Sequence, residues 1–393
     1  MKNKVIFAAA GNGKTYNICA EAIQKAKATN KYVLLLSYTN EGVNSIRNEY
    51  SKQNKGVIDS NVIIKTWYSF LLSDWIKPYQ CLLNLKFKHF KKELDRNIPE
   101  NFIRSIAFYQ DDKPKWFSSN HIQYFINGAH DIRKDDVSQL AFICNSHSQN
   151  KVINRLSSIY EYIFIDELQD YAGWDLELFD ILFKSIIPIK CVGDYKQSTY
   201  RTNNSTKNKQ FRDSKIIDYF VSKEKNNECE IEYNQTTRRF NKSICDYVNT
   251  IFNDENTISP KIAGLNEDDE NVGVFIIDKC DIDTYCNYYY PTVLRYNSST
   301  NVDSKGCRIF TYGSSKGMTL ERVIIYPINT VLPFILKNKE IVSNQTRAKF
   351  YVACTRAKYS LVFVVDKEIP DSHFIESEML LGDKKIKCYK YQS

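Results

Sequence analysis

The stretch that decides the fold is VIFAAAGNGKTYNI, Val5 to Ile18. A short apolar run typical of a buried strand ends in a glycine-bearing turn, and a helix-like segment follows. The two glycines would let backbone N–H groups approach phosphate oxygens, and the helix start adds the positive end of its dipole. Lys14 would reach the β- and γ-phosphates and Thr15 would bind Mg²⁺. Because Ala8 replaces the usual first glycine, a plain strand-to-helix turn stays open as the alternative.

Composition places the chain among ordinary globular proteins. Its 393 residues suffice for two or three domains, with 43% hydrophobic and 25% charged residues. A net charge of +8 permits a nucleic-acid partner without requiring one. The eleven cysteines form no Cys-x-x-Cys pair and the five histidines are dispersed, which predicts reduced thiols, a cytoplasmic location and no structural zinc. No stretch approaches the length of a membrane-spanning helix, so no membrane partner is expected.

Short apolar runs recur along the chain, and most are separated by helix-like segments. This alternation predicts a doubly wound α/β fold with parallel strands. Between Ser73 and Ser158 aromatic and lysine residues recur at helical spacing, which predicts a mainly helical insertion. Further strand candidates follow, so we expect two α/β cores in tandem, the first of them interrupted. The strand candidates are Val5–Ala9, Tyr32–Ser37, Val62–Thr66, Tyr162–Ile165, Ile189–Val192, Val274–Asp278, Arg308–Tyr312, Val323–Tyr326 and Ser360–Val365.

A second chemical signal is YIFIDELQD, in which a buried-strand pattern ends in Asp166 and Glu167. Both carboxylates would lie at the carboxyl edge of the sheet, where open α/β folds bind ligands. Asp166 would hold Mg²⁺ through water, and Glu167 would orient and deprotonate the attacking water. An isolated Asp-Glu pair is more often a helix cap beside a solvated acid. The phosphate-loop pattern in the same sheet favours the functional interpretation.

Eight motifs in order resemble the UvrD/Rep family of superfamily-1 DNA helicases, whose first motif often opens with alanine. The matching segments are AAAGNGKT (Ala8–Thr15), SYTNEGV (Ser37–Val43), TWYSF (Thr66–Phe70), DELQD (Asp166–Asp170), VGDYKQSTYR (Val192–Arg201), TTRRFNKSI (Thr236–Ile244), TYGSSKGMTLERV (Thr311–Val323) and FYVACTRAK (Phe350–Lys358).

This resemblance implies two tandem RecA-like parallel-sheet cores of the P-loop NTPase type, with ATP and Mg²⁺ between them. On this basis, residues 1–74 and 151–202 form the first core, 75–150 a helical insertion and 203–393 the second core. The interval between the fourth and fifth motifs is short for the family, so the accessory 2B domain is expected to be absent or rudimentary.

The resemblance also implies roles for individual residues. Two arginines would stabilise charge on the transferring phosphoryl group, with a surface ion pair as the alternative for either one. The implied catalytic residues are Glu167, Gln197, Arg239 and Arg356. The implied ATP contacts are Ala10, Gly11, Asn12, Gly13, Lys14, Thr15, Tyr16, Arg238 and Gly317, with Thr15 and Asp166 on the metal. The implied DNA contacts are Tyr38, Thr39, Asn40, Thr66, Trp67, Tyr68 and Tyr200, and core packing stays open for the aromatic ones.

Two departures from the family pattern concern the ligands. The chain begins too close to Ala8 to hold the upstream glutamine segment that reads adenine. Tyr16 or Arg238 could stack on the base instead, with an ordinary surface or core role as the equal alternative for both. Thr202 stands where the family has a tryptophan that stacks on a DNA base. One residue that would hold the DNA is therefore missing. Stacking on a base is worth about 1–3 kcal/mol, which is the size of the expected loss in binding free energy.

The function expected first is an ATP-dependent translocase or helicase on single-stranded or tailed DNA, with the 3′ to 5′ polarity that the resemblance implies. The alternative is a DNA-sensing ATPase subunit that regulates a partner nuclease, similar to helicase-like subunits of antiviral defence systems such as Gabija. A nucleotide switch without nucleic acid leaves the DNA-side motifs unexplained.

Overall fold

The computed structural model describes residues 3–83, 86–89, 92–95, 102–108, 117–199, 205–261, 271–366, 368–371 and 373–392. The chain divides into two compact units. One comprises Met1–Ile6, Lys14–Gly193 and Arg201–Glu232, and the other Phe7–Gly13, Asp194–Tyr200 and Tyr233–Ser393. In this division the segment Arg201–Glu232 groups with the first unit, and the domain boundaries expected from the sequence stay a prediction.

The first unit is built on a six-stranded sheet. The strands of this part of the chain are, in order, β1 (Asn3–Ala8), β2 (Tyr32–Ser37), β3 (Val62–Thr66), β4 (Lys86–His89), β5 (Lys92–Asp95), β6 (Ile106–Ala107), β7 (Ile132–Arg133), β8 (Tyr160–Ile165), β9 (Ile189–Gly193) and β10 (Cys229–Asn234). All of them except β4, β5, β6 and β7 belong to the six-stranded sheet. The sheet order is β10-β1-β9-β8-β2-β3, and the pairs β9-β8, β8-β2 and β2-β3 are parallel. Strand β2 is buried from Val33 to Ser37, as expected for a parallel strand covered on both faces.

Helices follow the strands of this unit. They are α1 (Lys14–Lys27), α2 (Asn40–Gln53), α3 (Trp67–Phe70), α4 (Val137–His147), α5 (Lys151–Ile159), α6 (Trp174–Phe183) and α7 (Ile216–Lys225). Between β3 and β8 the described residues include α4 and α5, the antiparallel pair β4-β5 and the parallel pair β6-β7. The predicted insertion therefore contains short strands as well as helices.

The second unit is built on a seven-stranded sheet. The unit also has a separate two-stranded parallel sheet of β11 (Thr236–Thr237) and β12 (Ser259–Pro260). Its helices are α8 (Lys242–Phe252), α9 (Ile282–Tyr289), α10 (Leu332–Lys337) and α11 (Asn344–Cys354). The strands of the seven-stranded sheet are β13 (Gly273–Asp278), β14 (Thr292–Arg295), β15 (Ile309–Thr311), β16 (Leu320–Ile325), β17 (Ala357–Val365), β18 (Phe374–Leu381) and β19 (Lys384–Tyr391). The order is β15-β14-β16-β17-β13-β19-β18, parallel except for the antiparallel pairs of β19 with β13 and β18. The prediction of an α/β fold with two RecA-like parallel-sheet cores is confirmed.

The parallel strands of the first sheet place their following loops at one edge. Ser37, Thr66 and Ile165 end β2, β3 and β8 there. Gly193 ends β9, and a Cβ at this position would lie 2.7 Å from Leu168 Cβ, so glycine permits the strand end to approach the turn after β8. Within the described residues no helix is both long and apolar enough to span a bilayer.

Candidate nucleotide-binding and nucleic-acid-binding site

Thr15 and Asp166, the two residues predicted to bind Mg²⁺, are in contact. Thr15 lies in the first turn of α1, and its hydroxyl donates a hydrogen bond to Asp166 Oδ2 at 2.7 Å. Asp166 directly follows β8, and its backbone N–H donates to Leu36 O at 2.8 Å. The backbone N–H of Glu167 donates to the other carboxylate oxygen at 2.8 Å. Two hydrogen bonds to the carboxylate and one from the backbone therefore fix Asp166 beside the start of α1.

Asp166 is almost fully buried, and burial raises the pKa of its carboxyl group to about 6, with the Glu167 carboxylate acting in the same direction. The Thr15 hydroxyl, the Glu167 N–H and the Lys14 ammonium act in the opposite direction. A hydroxyl and a carboxylate oxygen fit Mg²⁺, which binds one or two protein oxygens together with substrate phosphates. Among the described residues, no group of three or more His, Cys, Asp or Glu side chains could hold a metal ion.

Glu167 has an unusual backbone conformation and a side chain that is held by a neighbour. Its φ of 55° lies in the left-handed region, which is uncommon for a residue other than glycine and clusters at functional sites. The Gln169 side-chain amide donates a hydrogen bond to the Glu167 carboxylate. The side chain is half-buried and is oriented by a neighbour two residues away. Gln169 was missed by the sequence reasoning, although DELQD includes it.

The glycine loop adopts the conformation that its two glycines predict. Gly11 has φ +75° and Gly13 has φ +90°, both in the left-handed region that favours glycine. A Cβ at Gly11 would lie 2.5 Å from Arg239 Cβ, so this backbone passes too close for a side chain. The Gly11 carbonyl accepts a hydrogen bond from Arg238 N at 3.0 Å. The loop is therefore shaped by the segment after β10.

Asn12 anchors this loop. Its side-chain amide donates to Asn234 Oδ1 at 2.8 Å, Thr236 O at 2.9 Å and Thr236 Oγ1 at 3.1 Å. The residue is buried, so its side chain serves the loop and not a ligand. The ATP contact expected at this position stays a prediction.

The remaining predicted ATP contacts differ in exposure. Tyr16, on the first turn of α1, is 52% exposed, and Arg238 is exposed as well. The Tyr16 ring and the Arg238 guanidinium are therefore both accessible for stacking. Gly317 has φ +86° and open space around its Cα. Ala10 is buried and packs in the core of the second unit.

Gln197 and Arg356 are connected within the second unit. Arg356 Nη2 donates to Gln197 Oε1 at 3.3 Å, and the Gln197 amide donates to Asp194 Oδ2 at 2.8 Å. Arg356 is almost fully buried, and its Nε donates to Val352 O at 2.8 Å. Arg239 Nη1 donates to Thr355 O at 3.1 Å. Arg356 therefore contacts Gln197 directly, Arg239 contacts the residue before Arg356, and the catalytic roles expected of all three stay a prediction.

Three aromatic residues predicted to contact DNA are buried in the first unit. The Tyr38 and Tyr68 hydroxyls lie 2.5 Å apart, and their ring centroids are separated by 5.2 Å. Trp67 stacks on Phe179 with centroids 5.8 Å apart and donates from Nε1 to Asp175 Oδ1 at 2.7 Å. This packing favours the core alternative for all three rings.

The polar members of the predicted DNA surface occupy the loops after β2 and β3. Thr39 caps α2, its hydroxyl accepting from Gly42 N at 3.0 Å, and Asn40 beside it is exposed. Thr66 caps α3 by accepting from Ser69 N at 3.2 Å. Tyr200, the seventh predicted DNA contact, and Thr202, the position of the missing tryptophan, lie outside the described residues.

Comparison of the sequence with protein families gives one match: residues 80–215 match the UvrD/REP helicase N-terminal domain. The matched residues include Asp166, Glu167 and Gln197, and the predicted resemblance to this family is confirmed. A comparison with curated proteins gives no match.

Solved structures similar to this chain include the PRRSV helicase, at 14% identity, with 98% of this chain and 59% of that chain covered and a TM-score of 0.42. Two structures of the Arterivirus nonstructural protein 10 helicase, one in complex with DNA, are 14% identical with TM-scores of 0.43. They cover 92% and 93% of this chain and 59% and 61% of those chains, so the chain matches only part of these proteins.

Proposed function

We propose that the protein is an ATP-dependent DNA translocase or helicase with 3′ to 5′ polarity. The observation that carries the proposal is the Thr15–Asp166 contact at the carboxyl edge of the first sheet, in a chain whose residues 80–215 match the UvrD/REP helicase N-terminal domain. Thr15 and Asp166 would hold Mg²⁺ on the ATP phosphates, and Lys14 would bind the phosphates themselves. Mg²⁺ would neutralise charge that develops on the phosphate oxygens.

Glu167 would orient the attacking water and accept its proton. Its half-buried carboxylate is held by the Gln169 amide, which supports a fixed position for the water. Gln197, Arg239 and Arg356 would respond to the γ-phosphate, and their shared hydrogen bonds support a joint response. DNA would contact the exposed polar residues Thr39 and Asn40 and the half-buried Thr66.

The second candidate is a DNA-sensing ATPase subunit that controls a partner nuclease, in a cytoplasmic defence or repair complex. The burial of Tyr38, Trp67 and Tyr68 favours it, because these rings are packed and offer no free face to a base. A strand held mainly through phosphates would be gripped weakly and with a steep salt dependence.

ATP turnover with and without single-stranded DNA, followed by strand displacement on tailed duplexes, separates the two. Stimulated turnover with displacement of a 3′-tailed duplex supports the helicase. Stimulated turnover without displacement supports the regulatory subunit. Turnover that DNA does not change contradicts both, and displacement restricted to 5′-tailed duplexes contradicts the polarity.

A further inference from the structure

The residues Tyr195, Lys196 and Gln197 form a single 3₁₀ turn capped by Asp194. Gln197 contacts Asp194 and Arg356, as described above. The two residues before it contact a different part of the second unit, the loop that follows α8.

The ammonium group of Lys196 is buried and donates two hydrogen bonds to that loop. Its side chain is 2% exposed, and its ammonium donates to Asp254 Oδ1 at 2.7 Å and to Asn256 O at 2.8 Å. The Phe252 ring centroid lies 5.8 Å from the same nitrogen. A buried charge is tolerated only when it is paired and hydrogen-bonded, so this ammonium has a single favourable position.

Tyr195 reinforces the contact through the same carboxylate. Its hydroxyl donates to Asp254 Oδ2 at 2.7 Å and accepts from Asn256 Nδ2 at 3.2 Å. Both oxygens of Asp254 are therefore used by adjacent residues of one turn. Asn253, which ends α8 in the left-handed conformation at φ 44°, turns the chain so that Asp254 follows directly.

We propose that Asp254 and Lys196 are positioning residues that hold Gln197 against Arg356. The inference rests on the proposed ATPase function. This role requires no contact between ATP and either Asp254 or Lys196. Their ion pair fixes the turn in which Gln197 is the next residue, and so sets the distance between the Gln197 amide and the Arg356 guanidinium. Because small displacements of catalytic groups cost about 10²-fold in rate, loss of the ion pair should slow turnover without weakening ATP binding.

Asp254→Asn tests this, because it removes the charge and keeps one oxygen acceptor. We expect kcat for ATP hydrolysis to fall about 10- to 100-fold with KM for ATP unchanged. Asp254→Glu, which retains the charge, should recover part of the loss. Asp246→Asn is the matched control, since Asp246 pairs with Lys242 at 2.6 Å on the exposed side of α8, and it should leave kcat unchanged.

Amide hydrogen exchange over residues 194–199, measured without nucleotide, tests the positioning separately from catalysis. Asp254→Asn should accelerate exchange there and Asp246→Asn should not. If the wild-type protein lacks ATPase activity, the proposed function fails, but this exchange measurement still tests whether Asp254 and Lys196 position Gln197. Should Asp254→Asn fail to fold, the double variant Lys196→Met/Asp254→Asn, which leaves no unpaired buried charge, takes its place. Wild-type kcat or wild-type exchange in the folded variant would overturn the proposal.

Discussion

The guanidinium of Arg356 lies 3.3 Å from Gln197 Oε1 and simultaneously binds the carbonyl of Val352 at 2.8 Å. Val352 is in the last turn of α11, and its carbonyl also accepts a hydrogen bond from the Thr355 hydroxyl at 3.0 Å. Arg356 therefore has two roles: it binds a carbonyl at the end of a helix, and it contacts the glutamine predicted to sense the γ-phosphate.

Arg356→Ala should reduce both turnover and stability. The rate should fall by about 10³–10⁵, the range for an arginine that stabilises a transferring phosphoryl group, while ATP affinity is retained. The free energy of unfolding should fall by about 1.5–3 kcal/mol, because hydrogen bonds from a charged group are lost. ATP turnover, nucleotide titration and urea unfolding measure the three effects.

Arg322→Ala is the matched control for this variant. Arg322 Nη1 donates to Asn271 O at 2.8 Å and to Ser360 Oγ at 3.1 Å in the same unit, away from Gln197. It should lower stability with turnover unchanged. If Arg356→Ala slows turnover less than about tenfold, well below the expected range, the catalytic role of Arg356 is wrong.

Lys14→Ala and Glu167→Gln should both abolish turnover, but only the first should weaken ATP binding. Lys14 supplies a positive charge to the phosphates, whereas Glu167 acts on the water after ATP has bound. Nucleotide titration and steady-state turnover distinguish the two variants. Lys25→Ala, near the other end of α1, should leave both quantities unchanged. Near-native turnover by Glu167→Gln would exclude Glu167 as the base.

Gly11→Ala should destabilise the protein more than Gly56→Ala. Both glycines have positive φ, +75° and +87°, so both variants incur the same backbone strain. Only at Gly11 does an added Cβ meet other atoms, with Arg239 Cβ at 2.5 Å and Thr237 Oγ1 at 2.6 Å. Overpacking costs about 1–3 kcal/mol, so urea unfolding should separate the variants by that amount. Equal losses of the free energy of unfolding would mean that the loop at Gly11 shifts to accommodate the added Cβ without cost.

Continuous apolar runs bounded by turns predicted the first sheet well. The strands expected at Tyr32–Ser37 and Val62–Thr66 coincide with β2 and β3. The hairpin of β18 and β19 was not predicted, although an alternating pattern and a Gly-Asp turn mark it, with Gly382 at φ +62°. Buried parallel strands lack this alternation, so the continuous apolar pattern that predicts them does not find the hairpin.

The site was predicted as residue types in motifs, and this was enough to pair Thr15 with Asp166. It could not assign Asn12, whose partner Asn234 lies 222 positions away in the sequence. Nor could it decide whether Tyr38 and Trp67 pack or bind, because an aromatic ring after a strand is compatible with both. Those outcomes depend on tertiary contacts that no local pattern encodes.

Asp175 should make stability depend on pH in the opposite direction to a salt-bridged carboxylate. It is fully buried and accepts from Trp67 Nε1 at 2.7 Å, Ser138 Oγ at 2.5 Å and Ala172 N at 3.2 Å. Burial raises the pKa of its carboxyl group from 3.8 to about 6, although these hydrogen bonds lower it. Between those values the folded state binds more protons than the unfolded state, so this contribution falls as pH rises from about 4 to about 6.

The measurement is the free energy of unfolding in urea from pH 4 to pH 7, for wild type and Asp175→Asn. Asparagine does not titrate, so the wild type should lose about 3 kcal/mol relative to the variant across that window, following the shift of about two pKa units. The amide cannot accept from both Trp67 and Ala172 as the carboxylate does, so the variant is less stable throughout. Ser138→Ala removes a hydrogen bond that lowers the pKa, and it should extend the window to higher pH. Parallel curves for wild type and Asp175→Asn would mean that Asp175 is ionised at pH 4, and that its hydrogen bonds outweigh its burial.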